Sequence, residues 1–220
     1  MTGAAEPGRT STSMLFKCKC ESVQFELSGE PLLDGNCHCH SCVACCRYVD
    51  EKHNKGGGTT GIVNHGAAFT FFKPDQLVKY TVADSVKRED NNNNGVLGAV
   101  KVGDSGKNMR LFTTCCGTMV GFALPKMIGL NRNCITVVND NDNNNDPYQP
   151  ADPIMNWRKN DAFDPSIVPE PSHKMVPIST MFSFMMPMMN PFGPKFDPKD
   201  ENQKMFFPEL DKAEIVEITW

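Results

Sequence analysis

The chain has 220 residues, enough to bury a substantial core in one domain with tails. A net charge of -4 denies it the basic face that nucleic-acid binding needs, and no apolar run approaches the length of a membrane span. Ten cysteines would suit a disulfide scaffold, but they cluster as C-x-C, C-x-C-x-x-C and CC, a usage that reads as metal binding in a reducing compartment.

In chain order, residues 1–13 are small, polar and unpatterned, which predicts a disordered tail without the apolar centre of a secretory signal. The expected setting is therefore soluble and cytoplasmic. Met14 to Cys20 begins as a strand, and within it Cys18 and Cys20 would share one face. Val23 to Leu27 alternates polar and apolar residues, the pattern of a half-buried strand. Ser28-Gly29-Glu30-Pro31 is a turn, and Leu32-Leu33 leads into Cys37-His38-Cys39-His40-Ser41-Cys42.

Three thiols so close together cannot form unstrained disulfides with one another, since those need Cβ atoms about 3.8 Å apart in a set dihedral. Convergence on one soft cation is the better use, and zinc is the default for tetrahedral sulfur sites. Three ligands suit a catalytic site, which keeps a position open. The alternative is a closed site completed by His38, His40, Cys45 or Cys46. A short helix is expected over Val43 to Tyr48, then a GGGTTG connection.

Phe69 to Phe72, Leu77 to Val82, Val96 to Val102, Met109 to Phe112, Met119 to Leu124 and Cys134 to Val138 are further strands, rich in aromatic and β-branched residues. Cys116-Gly117 between two of them predicts a knuckle whose backbone N–H groups face a metal-bound sulfur. Residues 84–95, charged and then asparagine-rich, and the NDNDNNND run Asn139–Asp146 are solvated loops, the second lacking the glycine and the final glutamate of a calcium loop. Beyond Trp157 proline, methionine and lysine dominate. Met181 to Met189 is read first as an apolar strap over the domain's own surface, with a protein-partner or membrane-surface contact and a copper(I) methionine cluster as the other readings.

The order Cys18-x-Cys20, Val23 to Leu32, Cys37-His38-Cys39-x-x-Cys42 and Cys116-Gly117-Thr118 resembles the family of glutathione-dependent formaldehyde-activating enzyme and centromere protein V. The resemblance covers residues 14–158 and leaves 159–220 as an irregular C-terminal extension. It implies a mainly β, zinc-bound β-tent of twisted antiparallel sheets with two zinc ions. It also implies a structural site from Cys18, Cys20 and a late C-x-x-C, and a catalytic site of Cys37, Cys39 and Cys42 open to a substrate thiol. The implied activity is that of a carbon–sulfur lyase joining formaldehyde to glutathione.

Two departures stand out. Thr113 occupies a position where the family has cysteine, so Cys18, Cys20 and Cys116 match while Cys115 is only a candidate fourth ligand, alongside water, Cys45 or Cys46. Val43 and Ala44 stand where the family carries basic residues, so a glutathione carboxylate would need Arg47, Lys73 or Arg110. A zinc-bound exogenous thiol has a lowered pKa and can attack a small carbonyl compound. His38 or His40 is expected to support the ligands, or else to shuttle the thiol's proton. The non-enzymatic alternative is a zinc-stabilised binding module like centromere protein V, with the methionine-rich segment meeting a protein partner.

Overall fold

A computed structural model of the chain describes residues 13–54, 61–84, 96–103, 109–138, 146–150, 154–174 and 213–216, with residues 195, 197, 199, 203 and 206. Met181 to Met189, the two asparagine-rich runs before Asp146, and residues 56–60 of the GGGTTG connection lie outside the described residues.

The chain is mainly β, with fifteen strands and one α-helix among the described residues. The smaller sheet starts from β1 (Ser13–Lys17) and β2 (Val23–Ser28), which pair antiparallel, Phe16 opposite Phe25. Their alternation buries Met14, Phe16, Val23, Phe25 and Leu27 on one face. β6 (Leu77–Val82) flanks β2, while β11 (Ile135–Val138) and β12 (Asp146–Pro147) extend the other side.

The larger sheet runs β14 (Ser172–His173), β13 (Met155–Trp157), β3 (Leu33–Cys37), β5 (Gly66–Phe72), β10 (Met127–Asn131), β9 (Met119–Leu124), β8 (Arg110–Thr113), β7 (Leu97–Val102), β15 (Glu214–Val216). β4 (Ile62–Val63) pairs with β5. Most strand pairs are antiparallel, as expected, but the larger sheet is mixed: β13 pairs parallel with β3 and β14, and β15 parallel with β7. Parallel partners need long crossovers rather than hairpins, and these strands arrive through such connections.

Every residue of β5 is buried, because the larger sheet is covered on both faces. Phe72, Val120, Ile128 and Leu130 meet the smaller sheet, and Phe206 joins them with its ring 5.1 Å from that of Phe25. Phe69, Phe71, Phe112 and Met119 face the opposite way, toward the helix α1 (His40–His53).

That helix has fourteen residues, well beyond the short helix expected. Cys42, Cys45, Cys46 and Val49 form its buried stripe at the i, i+3, i+4, i+7 spacing. Cysteine packs as a small hydrophobe. The helix extends the expected span at both ends, to His40 and to His53. Two other boundaries also move. Cys18 and Cys20 lie in a turn after β1 instead of in the strand, and Cys134 closes a 3-10 turn ahead of β11.

Candidate metal centres

The fold gathers seven of the ten cysteines into two groups: Cys18, Cys20, Cys115 and Cys116, and Cys37, Cys39 and Cys42. Within each group the sulfurs lie within 4.8 Å of one another. A tetrahedral ion with metal–sulfur bonds of about 2.3 Å puts its sulfurs about 3.8 Å apart. The Cys18–Cys20, Cys18–Cys115, Cys20–Cys115 and Cys115–Cys116 separations of 3.5, 3.9, 3.3 and 3.9 Å fit that requirement with small adjustments. All ten cysteines are free thiols, so no disulfide competes for these sulfurs.

Two turns build the four-cysteine group. In the first, Glu21 N–H donates to the Cys18 carbonyl, and Val23 N–H lies 3.3 Å from the Cys18 sulfur. Glu21 takes the left-handed φ of 58° that turns the chain back. In the second, Gly117 N–H donates to the Thr113 carbonyl and Gly117 sits at φ 69°. This turn lifts residues 114–116 out of the strand, so the neighbours Cys115 and Cys116 reach the same group despite the opposite faces a flat strand would give them. Cys45 and Cys46 belong to neither group; they pack in the core between α1 and the larger sheet.

Thr113 has a different use. It is completely buried, its hydroxyl is 3.3 Å from the Cys116 sulfur, and it accepts from Thr118 N–H. The Thr118 hydroxyl lies 3.1 Å from the same sulfur and accepts from Lys19 N–H, tying the two turns together. Hydrogen bonds from Cys115 and Cys18, then from the two threonines, pull the Cys116 thiol well below its ordinary pKa. A Thr-x-x-Cys-Gly-Thr run between apolar strands is the signal for this arrangement.

The three-cysteine group sits where β3 gives way to α1. Cys37 ends the strand, Cys39 is the helix N-cap and Cys42 lies in the first helical turn. Cys39 makes no side-chain capping bond, which leaves its sulfur aimed at its neighbours; Cys37 and Cys39 sulfurs are 3.3 Å apart. Positive partial charge at a helix N-terminus favours thiolates. Cys37 and Cys42 are buried, whereas Cys39 is partly open. Hydrogen bonds from Cys37 and Cys39, reinforced by Arg110, hold the Cys42 thiol well below its ordinary range.

Arg110 is buried and donates from Nη2 to the Cys42 sulfur at 3.0 Å. Arg110, named as one of three candidate cations for a substrate carboxylate, thus lies in the core with its guanidinium turned to Cys42 and not to the surface. An arginine inside the apolar run Met109 to Phe112 was the available signal, because a buried cation demands a partner. Arg47 is exposed and stands over the Phe163 ring, 5.2 Å from its centroid. Lys73 caps the turn Pro74–Gln76, with its backbone N–H on the Gln76 side chain.

His38 faces away from Cys37. Its Nε2 is 3.3 Å from Asn156 Oδ1, and its ring covers Gly66. Burial lowers its pKa and favours the neutral ring, and its Nε2 is turned to Asn156 instead of to the sulfurs. Asp34, Asn36 and His38 share this face of β3. Thr70 and Tyr148 hydroxyls donate to Asp34, and Arg132 donates to Asn36, whose amide donates to Asn156. This buried chain fixes the strand that carries Cys37. His40 instead packs edge-on against Phe163, 4.1 Å between ring centres.

Among the described residues, no helix is long and apolar enough to cross a membrane. No protein-family model matches the chain, and no curated protein matches its sequence.

Proposed function

We propose that the chain is a zinc-dependent carbon–sulfur lyase, with the zinc-bound β-tent of the glutathione-dependent formaldehyde-activating enzyme and centromere protein V family, working in the reducing cytoplasm. The observation that carries this reading is the inequality of the two cysteine groups. One offers four sulfurs, enough to close a tetrahedral ion, and the other offers three, with Cys39 at its rim.

Cys37, Cys39 and Cys42 would hold the zinc ion, which would supply a soft position favouring the thiolate form of an exogenous thiol. The protein's own residues do the rest. Cys37 and Cys42, buried, keep water from one side of the centre, and partly exposed Cys39 marks the side from which a thiol enters. The rigid β3 strand and the α1 N-terminus hold the three sulfurs in place. A glutathione thiol bound beside these residues would release its proton to solvent and its sulfur would add to the formaldehyde carbon, the carbonyl oxygen taking a proton back from solvent to give S-hydroxymethylglutathione; the reverse step would break the carbon–sulfur bond.

The second reading, a zinc-stabilised binding module, draws support from the helix start. Val43 is buried there and Ala44 half-buried, so the helix start offers a thiol's carboxylates no cation at those two positions. Titration of glutathione into zinc-loaded protein by calorimetry, followed by NMR detection of faster adduct formation from formaldehyde, tests the lyase. Binding with rate enhancement supports it. Intact two-zinc protein that neither binds the thiol nor speeds the reaction leaves the binding module as the better account.

A further inference from the structure

We infer that Arg110 is the internal counter-charge of the three-cysteine centre, a positioning residue that holds Cys42 and favours a thiolate over water as the fourth ligand. The inference rests on reading that centre as an open zinc site.

The argument begins with the burial of a guanidinium. Arg110 is 7% exposed, and among the described residues it makes no ion pair with a carboxylate. Its polar partners are the Cys42 sulfur at 3.0 Å and the Met109 carbonyl at 3.2 Å, and its Nε is buried without a partner. One face of the guanidinium lies 4.6 Å from the Phe122 ring centre, an attraction that only complements a full negative partner. A buried charge persists where an opposite charge answers it. The nearest source of negative charge is the sulfur group.

Charge counting then makes the match specific. A dication with three thiolates carries one negative charge, and Arg110 cancels it. The four-cysteine group with a dication would carry two, yet Cys20 is exposed there, so water can answer its charge. The buried centre has no such access at Cys37 and Cys42, and the arginine stands in for solvent. With the centre neutralised, adding a thiolate leaves one net negative charge in the core instead of two, so entry of an anionic ligand is less opposed. The hydrogen bond also draws electron density from the Cys42 sulfur, which would make Cys42 the weaker nucleophile of the two sulfurs and keep it as a ligand.

The test compares the full chain with Arg110→Met, Arg110→Gln and Arg110→Lys. Zinc affinity is read by competition with a chromophoric chelator, and glutathione binding by calorimetry. The neutral variants are expected to lose roughly 10–100-fold in zinc affinity at this centre, the usual cost of removing an outer partner of a metal ligand. Glutathione affinity should fall further, and Arg110→Lys should recover most of both. Neutral variants that fail to fold while Arg110→Lys folds and binds zinc also support the role of charge. Unchanged zinc affinity in a folded neutral variant overturns the inference, as does equal failure of all three variants, which would assign Arg110 a role of shape. Absence of glutathione binding in the parent protein counts against the lyase, whereas the zinc measurement still decides the role of Arg110.

Discussion

Gly117 lies against the backbone carbonyl of His53, so closely that a Cβ at residue 117 would stand 2.0 Å from the oxygen. His53 is the last residue of α1, and the same helix begins at the Cys39 cap. A single helix, about 20 Å long at 1.5 Å per residue, therefore runs from one cysteine group to the turn that shapes the other. Gly117→Ala meets both this clash and a left-handed φ of 69°. Strain of that kind costs roughly 1–3 kcal/mol before the clash is added. The expected result is a melting temperature lowered by many degrees, with the four-cysteine metal lost before the three-cysteine metal on titration with chelator.

The two cysteine groups should respond differently to removal of a ligand. Cys18→Ser opens a group that joins the turn after β1 to the turn after β8, nearly one hundred residues away. Cys39→Ser opens a local loop, whose closure constrains the chain less. Two zinc ions per chain are expected, and chelation should unfold much of the β-domain, because structural zinc sites contribute roughly 10–16 kcal/mol of apparent binding free energy. Melting curves with metal analysis check this. Equal unfolding by the two substitutions would make the three-cysteine group structural.

Cys115 is the fourth sulfur by position, so Cys115→Ser should weaken metal binding at that group while Cys45→Ser and Cys46→Ser leave its stoichiometry unchanged. Thr113→Val keeps the side-chain volume but leaves Thr118 N–H without its acceptor. An unsatisfied buried donor costs about 1–3 kcal/mol. Denaturant melts of the zinc-loaded variants, with chelator competition, measure both effects.

Burial pushes the Cys45 thiol from its ordinary 9.0 up to about 12. The folded chain thus retains a proton that the unfolded chain has released. Stability from this group is fully present below its ordinary value of 9.0 and is lost as pH rises toward the folded value of about 12. Within that window the slope approaches about 1.4 kcal/mol per pH unit. Cys45→Ala should show a flatter alkaline decline than the parent, even though its stability at pH 7 is lower through the lost packing. Parallel pH profiles for the two proteins would contradict the assignment.

Local pattern made the β-rich class and the seven cysteines legible in the sequence. Alternation at Val23, Phe25 and Leu27 requires only neighbouring residues to be read, and C-x-C-x-x-C constrains its own sulfurs to a few ångströms. Tertiary structure alone decided which distant residues complete each group. Cys115 reaches Cys18 and Cys20 because Gly117 bends the chain against the end of α1, a contact that no local rule encodes. The partner of Arg110 was likewise set by strand order: β8 and the helix above it bring a guanidinium to Cys42 across 68 positions. The full length of the helix was masked by composition, since its cysteines belong to the three-cysteine group at one end and to the hydrophobic stripe along its length. Short-range geometry is written into spacing, whereas the pairing of buried charge, sulfur and backbone depends on the packing of the whole chain.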